Sequence, residues 1–255
     1  MAMHSEWVLN AWQTSNTDAT TYVDSQKTIS ASYRNLKVNI KERTAAVIEA
    51  LSDAIPNPTT ELQYHSAYEL LVAVILSAQC TDKRVNMTTP ALFEAFPTVG
   101  ALATASPEDV LPYISSINYP NSKAKYLVDM ANGVMTHFNG QIPSTREELM
   151  QLPGVGRKTA NVMLIVYFNE PAMPVDTHVM RVSRRIGLVS ESCKTPEAIE
   201  KALLRHVPKE KLSTTHHLLI LHGRRTCTAR NPKCSACSIS NLCKYHAHNT
   251  AKKIN

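Results

Sequence analysis

The stretch Leu152-Pro153-Gly154-Val155-Gly156-Arg157-Lys158-Thr159-Ala160 is the part of this chain around which the rest is read. Two of the chain's seven glycines fall inside it. Glycine lets a backbone turn tightly and lets its N–H groups approach another chain closely. The turn then opens into a helix, whose first N–H groups and dipole favour an anion. The G-x-x-x-x-G-K spacing of a nucleotide-binding loop is absent. The stretch therefore reads as a hairpin that grips nucleic-acid phosphates, with Gly154, Gly156 and Arg157 as DNA-binding candidates. Such contacts position DNA without reading its sequence.

Arg157 and Lys158 occupy the first turn of that helix, where cations oppose the macrodipole. Stability alone does not explain them. Two solvated surface cations are the plain alternative. Lys158 supports a more specific reading, because a helix N-terminus and cationic neighbours favour the neutral form of an amine. A neutral lysine is a nucleophile. It can attack a sugar C1′, form a Schiff base and lead to strand cleavage by elimination. In the segment Pro174-Val175-Asp176-Thr177-His178, Asp176 lies 18 residues after Lys158. Asp176 precedes Val179, Val182 and Ile186 at helical spacing, so it suits a helix N-cap. A carboxylate fixed there can also stabilise positive charge developing on a sugar or activate the nucleophile.

Outside the hairpin the signals are helical from about Val38 onward. Ser66 to Glu69 has the capping-box pattern ahead of the apolar run Leu70–Leu76, and Ser144 to Glu147 repeats it. Ser106-Pro107 and Thr195-Pro196 place a cap before a proline at the first helical position. Asn161–Phe168 could pass for a buried strand, but it follows a helix start directly and is read as a buried helix. No Asn-Gly or Asp-Gly hairpin signal occurs. The expected fold class is all-α. Residues 1–38 read differently: Ser, Thr, Asn, Gln and Asp dominate Gln13–Ser32 without a helical period, which predicts a disordered tail. Trp7 and Trp12 lie in it, as a docking motif or as incidentally exposed residues.

Composition narrows the classes. The 255 residues are 44% apolar and 19% charged, ordinary for a globular protein with a real core. The net charge of +6 suits a polyanionic partner. No apolar run is long enough to cross a membrane. The start, MAMHSEWVLN, lacks a basic segment followed by an apolar one, so no secretion signal is expected. The expectation is a cytoplasmic protein, nucleoid-associated if bacterial. Nothing suggests an oligomer, and a monomer is expected. In such a compartment the six cysteines should be thiols or metal ligands. Cys80 and Cys193 stand alone. Cys227, Cys234, Cys237 and Cys243 form C-x6-C-x2-C-x5-C, which can close around one metal centre. Four thiolates suit a structural zinc or a [4Fe–4S] cluster, and ligand chemistry alone does not separate them. Arg230 and Lys233, in the loop between the first two cysteines, are either phosphate contacts or solvated charges.

The hairpin LPGVGRKTAN, the segment VDTHV, the stretch LHGRRTC and the four-cysteine tail together resemble the endonuclease III family of helix-hairpin-helix DNA glycosylases. The likeness runs from about Arg43 to Tyr245, with the motifs in the family's order, and the cysteine spacing looks like that of its iron–sulfur members. It implies a [4Fe–4S] cluster. It also implies two helical domains with double-stranded DNA bound across the cleft between them. A six-helix domain would span 60–170, and a cluster domain would combine 39–59 with 171–250. By motif, Lys158 matches the nucleophilic lysine and Asp176 the catalytic aspartate. Gln79 matches a residue that fills the gap left by a flipped base. The implied activity is bifunctional: removal of oxidised pyrimidines, then cleavage of the abasic site. Tyr119 stands at the position of an apolar wedge, and Pro120 stiffens its loop. Three other readings compete. They are a monofunctional mismatch glycosylase on the same scaffold, a non-catalytic iron–sulfur DNA-binding protein, and a zinc-ribbon module. Lys158 argues against the first, and Lys158 with Asp176 against the second.

Overall fold

A computed structural model describes residues 39–254. The expected tail over 1–38, with Trp7 and Trp12, lies outside the described residues. Those residues form twelve α-helices and three short 3-10 turns, with no strand among them. The all-α expectation holds, and Asn161–Val166 belongs to a helix.

The first core is built by seven helices. They are α2 (Ala67–Ser77), α3 (Asp82–Ala95), α4 (Val99–Ala103), α5 (Pro107–Ile114), α6 (Pro120–His137), α7 (Arg146–Leu149) and α8 (Arg157–Val166). Helix α2 is apolar on every side and is buried from Leu70 to Leu76. A helix with no polar face must be wrapped by others, and α3, α6 and α8 pack against it. Preceding α2, the α1 helix (Ile40–Ala54) contributes Val47, Ile48 and Leu51 to a second core. The rest of that core comes from α9 (Thr177–Ile186), α10 (Pro196–His206), α11 (Leu212–Arg225) and the segment up to Leu242. Helix α12 (Lys244–Ile254) follows and packs on α9. The change of core falls between Ala172, in the first, and Met173, in the second. Arg43 on α1 donates to the Leu242 carbonyl at 2.7 Å, tying the two ends of the second core together.

Local chemistry sets the helix ends. Ser66, Ser106, Asp176 and Thr195 are N-caps as their sequences predict. The cap of α7 is corrected by one residue: Thr145, not Ser144, accepts from the Glu148 N–H. Both positions carry a hydroxyl followed three residues later by a glutamate, so pattern alone does not separate them. Gly187 ends α9 with φ +87°, a left-handed conformation that glycine adopts at no steric cost. A Cβ there would meet only the flexible stem of Lys244, so the left-handed backbone is what calls for glycine.

Candidate active site

A cleft of about 800 Å³ opens between the two cores. Ser77, Gln79, Asp82 and Lys158 line it from the first core, and Asp176, His178 and Arg224 from the second. Lys158 is exposed in the first turn of α8. Asp176 is half-buried at the N-cap of α9, where Oδ1 accepts from the Val179 N–H at 2.7 Å. Lys158 and Asp176 also line a smaller cavity of about 90 Å³, with His216 and His217 on its α11 side. The two residues assigned the chemistry thus reach the same space from different cores.

Two sets of ion pairs cross between the cores. Arg224 on α11 donates to Asp82 Oδ2 at 2.8 Å and also pairs with Glu61. Burial works against its charge. The Asp82 hydrogen bond and the carboxylates of Asp82, Glu61 and Asp176 more than offset this. Arg157 makes a two-pronged contact with Glu200 on α10, Nε to Oε2 at 2.8 Å and Nη2 to Oε1 at 3.0 Å. Arg146 stands 3.7 Å from the same carboxylate and donates to Asn161 Oδ1 at 2.7 Å. Arg157, a DNA-contact candidate by sequence, thus has its fork on a carboxylate of the other core, and its side chain stays 43% exposed. Sequence could not separate the two roles, because Glu200 is 43 residues away.

Gln79 and Tyr119 occupy neighbouring loops and share an unusual backbone. Both are left-handed, with φ +56° and +59°. Asn118 donates to the Gln79 carbonyl, joining the loops. Beneath them, Lys123 is 5% exposed and donates to the carbonyls of Leu76 at 2.8 Å and Ala78 at 2.7 Å. Burial lowers its ammonium's proton affinity, and the charge of Cys80 acts the other way. A buried amine with two fixed acceptors caps the end of α2 and sets where Gln79 stands. Tyr119 is 63% exposed at the start of α6.

In the hairpin, Gly154 has φ +77°, and a Cβ there would meet Tyr126 Cβ at 3.0 Å. Gly156 caps α8 without a side-chain bond and faces open space. The N–H groups at the start of α8 are thus unobstructed.

Cys227, Cys234, Cys237 and Cys243 line one small cavity of about 20 Å³, together with polar residues such as His222, Lys233 and His246 and apolar ones such as Ile186 and Ile239. Burial pushes the Cys237 thiol up to about 11, a bond from Ile239 opposes this, and the other three cysteines add to the rise. Burial also raises Cys243. Four thiolates held together away from water need a cationic centre, so the donor set fits a metal cluster. Among the described residues no three His, Cys, Asp or Glu side chains form a single-ion site; the four cysteines line one small cavity instead. Arg185 holds the loop through the carbonyls of Thr228 at 2.7 Å and Ala229 at 2.8 Å, and its Nη1 reaches Cys227 Sγ at 3.5 Å. Arg230 and Lys233 are exposed and have no ion pair among the described residues.

Residues 72–209 match the HhH-GPD superfamily of base excision DNA repair proteins. Residues 227–243 match the iron–sulfur binding domain of endonuclease III. The endonuclease III of Rickettsia felis is 44% identical over 200 residues, covering 78% of this chain and 93% of its own. That of Escherichia coli K12 is 43% identical over 205 residues, covering 80% and 96%. The chain belongs to the endonuclease III family.

Endonuclease III trapped as a covalent intermediate with DNA superposes with a TM-score of 0.78 at 38% identity, covering 82% of this chain and 98% of that one. A thermostable thymine-DNA glycosylase shares the fold at 22% identity and a TM-score of 0.74. Membership settles two matters that ligand chemistry left open. The chain carries a [4Fe–4S] cluster rather than zinc, and the matching iron–sulfur segment runs over residues 227–243, which contain the four cysteines. The protein is a DNA-repair enzyme of two helical domains with a DNA-binding cleft between them, which excludes the non-catalytic and zinc-ribbon readings. No helix of the described residues is long and apolar enough to cross a membrane.

Proposed function

We propose that this endonuclease III family member removes oxidised pyrimidines from duplex DNA and then cleaves the abasic site by β-elimination, with Lys158 as nucleophile. The observation that carries the reading is that Lys158 and Asp176 line one cleft from opposite cores. A glycosidic bond is inaccessible inside the stack, so the damaged nucleotide must swing out into that cleft. Its volume of about 800 Å³ accommodates a nucleotide.

The Lys158 amine attacks C1′, and the glycosidic bond breaks with its electron pair leaving on the base. Loss of the amine proton and ring opening give a Schiff base. Removal of a C2′ proton then expels the 3′ phosphate. Asp176 keeps Oδ1 on the Val179 N–H, and its second oxygen serves the positive charge that develops on the sugar. Gln79 and Tyr119, side by side in left-handed loops, fill the gap and wedge the opposite strand. Gly154 and Gly156 hold backbone phosphates, and Arg230 and Lys233 extend that contact from the cluster loop. The cluster, held by Cys227, Cys234, Cys237 and Cys243, would supply the structure that presents this loop. We read the two domains as one over 60–170 and one combining 39–59 with 171–250. The protein acts as a cytoplasmic monomer on double-stranded DNA bearing damaged bases or abasic sites.

A panel of lesion duplexes assayed with Asp176→Asn tests this reading. An asparagine keeps the cap, so folding and DNA binding should persist while turnover falls by about 100-fold or more. Equal turnover in the variant would remove Asp176 from the chemistry.

A further inference from the structure

His216 is 3% exposed on α11, and the mechanism above gives it no task. Its Nδ1 lies 3.1 Å from the Pro174 carbonyl. A carbonyl only accepts, so Nδ1 carries the proton and Nε2 is left as an acceptor. Nε2 has no hydrogen-bond partner among the described residues. It is also not one of the sealed atoms without a partner, which are His206 Nδ1 and Thr215 Oγ1. The ring lines the 90 Å³ cavity together with Lys158 and Asp176, and Nε2 is its one free acceptor there. A cavity of that size holds several waters.

Other charged and titratable groups also face this space. They are Lys158 from α8, Asp176 from α9, Asp82 from α3, Glu61 from the segment before α2, and His217 and Arg224 from α11. Burial, then the His217 ring and the charge of Lys158, push His216 well below the ordinary histidine range. The Pro174 bond acts the other way and does not offset them. The ring is thus a neutral acceptor at working pH, fixed in one tautomer by a backbone carbonyl.

We propose that His216 is a positioning residue for Lys158: its Nε2 accepts an N–H of the lysine, directly or through one water, and aims the amine's lone pair into the cleft. The neighbouring backbone makes the arrangement coherent. Pro174, which fixes the ring, lies two residues before Asp176, so one short segment orients both the acceptor and the catalytic carboxylate. The proposal rests on Lys158 being the nucleophile, and the controls below separate the two claims.

The test compares His216→Asn and His216→Gln with wild type and Lys158→Ala in single-turnover borohydride trapping on an abasic-site duplex. Asparagine retains an N–H for Pro174 but withdraws the acceptor from the cavity; glutamine restores an acceptor there. His216→Asn should keep the cluster's absorbance near 400 nm and the duplex Kd within about twofold, yet trap about 10- to 100-fold more slowly. His216→Gln should recover a large part of that loss. Wild-type trapping by His216→Asn, beside a dead Lys158→Ala, overturns the positioning role while leaving the nucleophile intact. Wild-type trapping by Lys158→Ala overturns the nucleophile itself. If His216→Asn does not fold, imidazole ¹⁵N spectra of the wild-type holoenzyme decide. An Nδ1–H tautomer whose Nε2 resonance moves in Lys158→Ala supports the proposal; an Nε2–H tautomer or an unmoved resonance overturns it.

Discussion

Arg157 and Glu200 lock the hairpin helix to the opposite core: both prongs of the guanidinium meet a carboxylate whose side chain is 4% exposed. The residue beside Lys158 is therefore a brace between domains. Arg157→Met would leave Glu200 buried with only Arg146 at 3.7 Å. Breaking a fully buried pair is costly, but the Arg157 side chain is 43% exposed, so the loss is discounted to about 1–2 kcal/mol. The melting temperature should fall by about 2–8 °C. The slope of log affinity against log salt should stay unchanged, because no phosphate contact is removed. A flatter slope with an unchanged melting temperature would return Arg157 to the DNA.

Lys123 offers a second case in which a cation serves the protein rather than the ligand. Lys123→Met keeps the apolar stem but removes both donors from the Leu76 and Ala78 carbonyls. An unsatisfied buried acceptor costs about 1–3 kcal/mol. Chemical denaturation should show that loss. Excision should fall further than stability accounts for, because Gln79 follows directly from the released segment. Full activity in a destabilised variant would separate the buried lysine from the placement of Gln79.

Tyr119 trades backbone comfort for position. A non-glycine residue at φ +59° carries about 1–2 kcal/mol of steric strain. Tyr119→Gly relieves it and adds about 0.5–1 kcal/mol of entropic cost. Thermal stability should be unchanged or slightly higher, whereas affinity for lesion duplex should drop because the exposed ring is gone. Melting curves and fluorescence anisotropy on the same preparation check this. Unimpaired binding would leave the left-handed tyrosine without a purpose at the cleft.

The buried histidines make stability depend on pH. His217 is lowered from 6.5 to about 4 by burial, and His216 is lowered in the same direction. In the unfolded chain both take protons near the ordinary value. The stabilisation is therefore present above about pH 6.5 and is lost as pH falls toward 4, where the folded protein begins to protonate as well. For His217 alone the loss is on the order of 3 kcal/mol across that window. Denaturant midpoints should fall between pH 7 and pH 5, and His217→Gln should shallow the slope. A midpoint flat across that range contradicts a neutral buried pair.

Much of this was legible in the residues, for physical reasons that differ by element. The caps at Ser66, Ser106, Asp176 and Thr195 were readable because a cap and its helix are adjacent in sequence. The four cysteines are close in sequence, so a short segment alone brings them around one small cavity. Lys158 and Asp176 stand out by their local setting, but their shared cleft depends on how two cores dock. What could not be read were partnerships across long separations. Glu61, Asp82 and Arg224 meet over 163 and 142 residues, and Arg157 meets Glu200 over 43. No local pattern distinguishes a cation that faces DNA from one that faces a distant carboxylate. The buried role of Lys123 was hidden for the same reason, since a lysine flanked by Ser122 and Ala124 reads as surface. The one-residue shift from Ser144 to Thr145 shows the limit of pattern even for caps.

Covalent attachment of Lys158 to the sugar is the step on which excision and strand cleavage both depend. Borohydride trapping of the purified holoenzyme on an abasic-site duplex, wild type beside Lys158→Ala, measures this directly. The expected result is a stable protein–DNA adduct for wild type and none for the variant, with duplex binding retained in both. An adduct formed by Lys158→Ala at the wild-type rate would contradict the account.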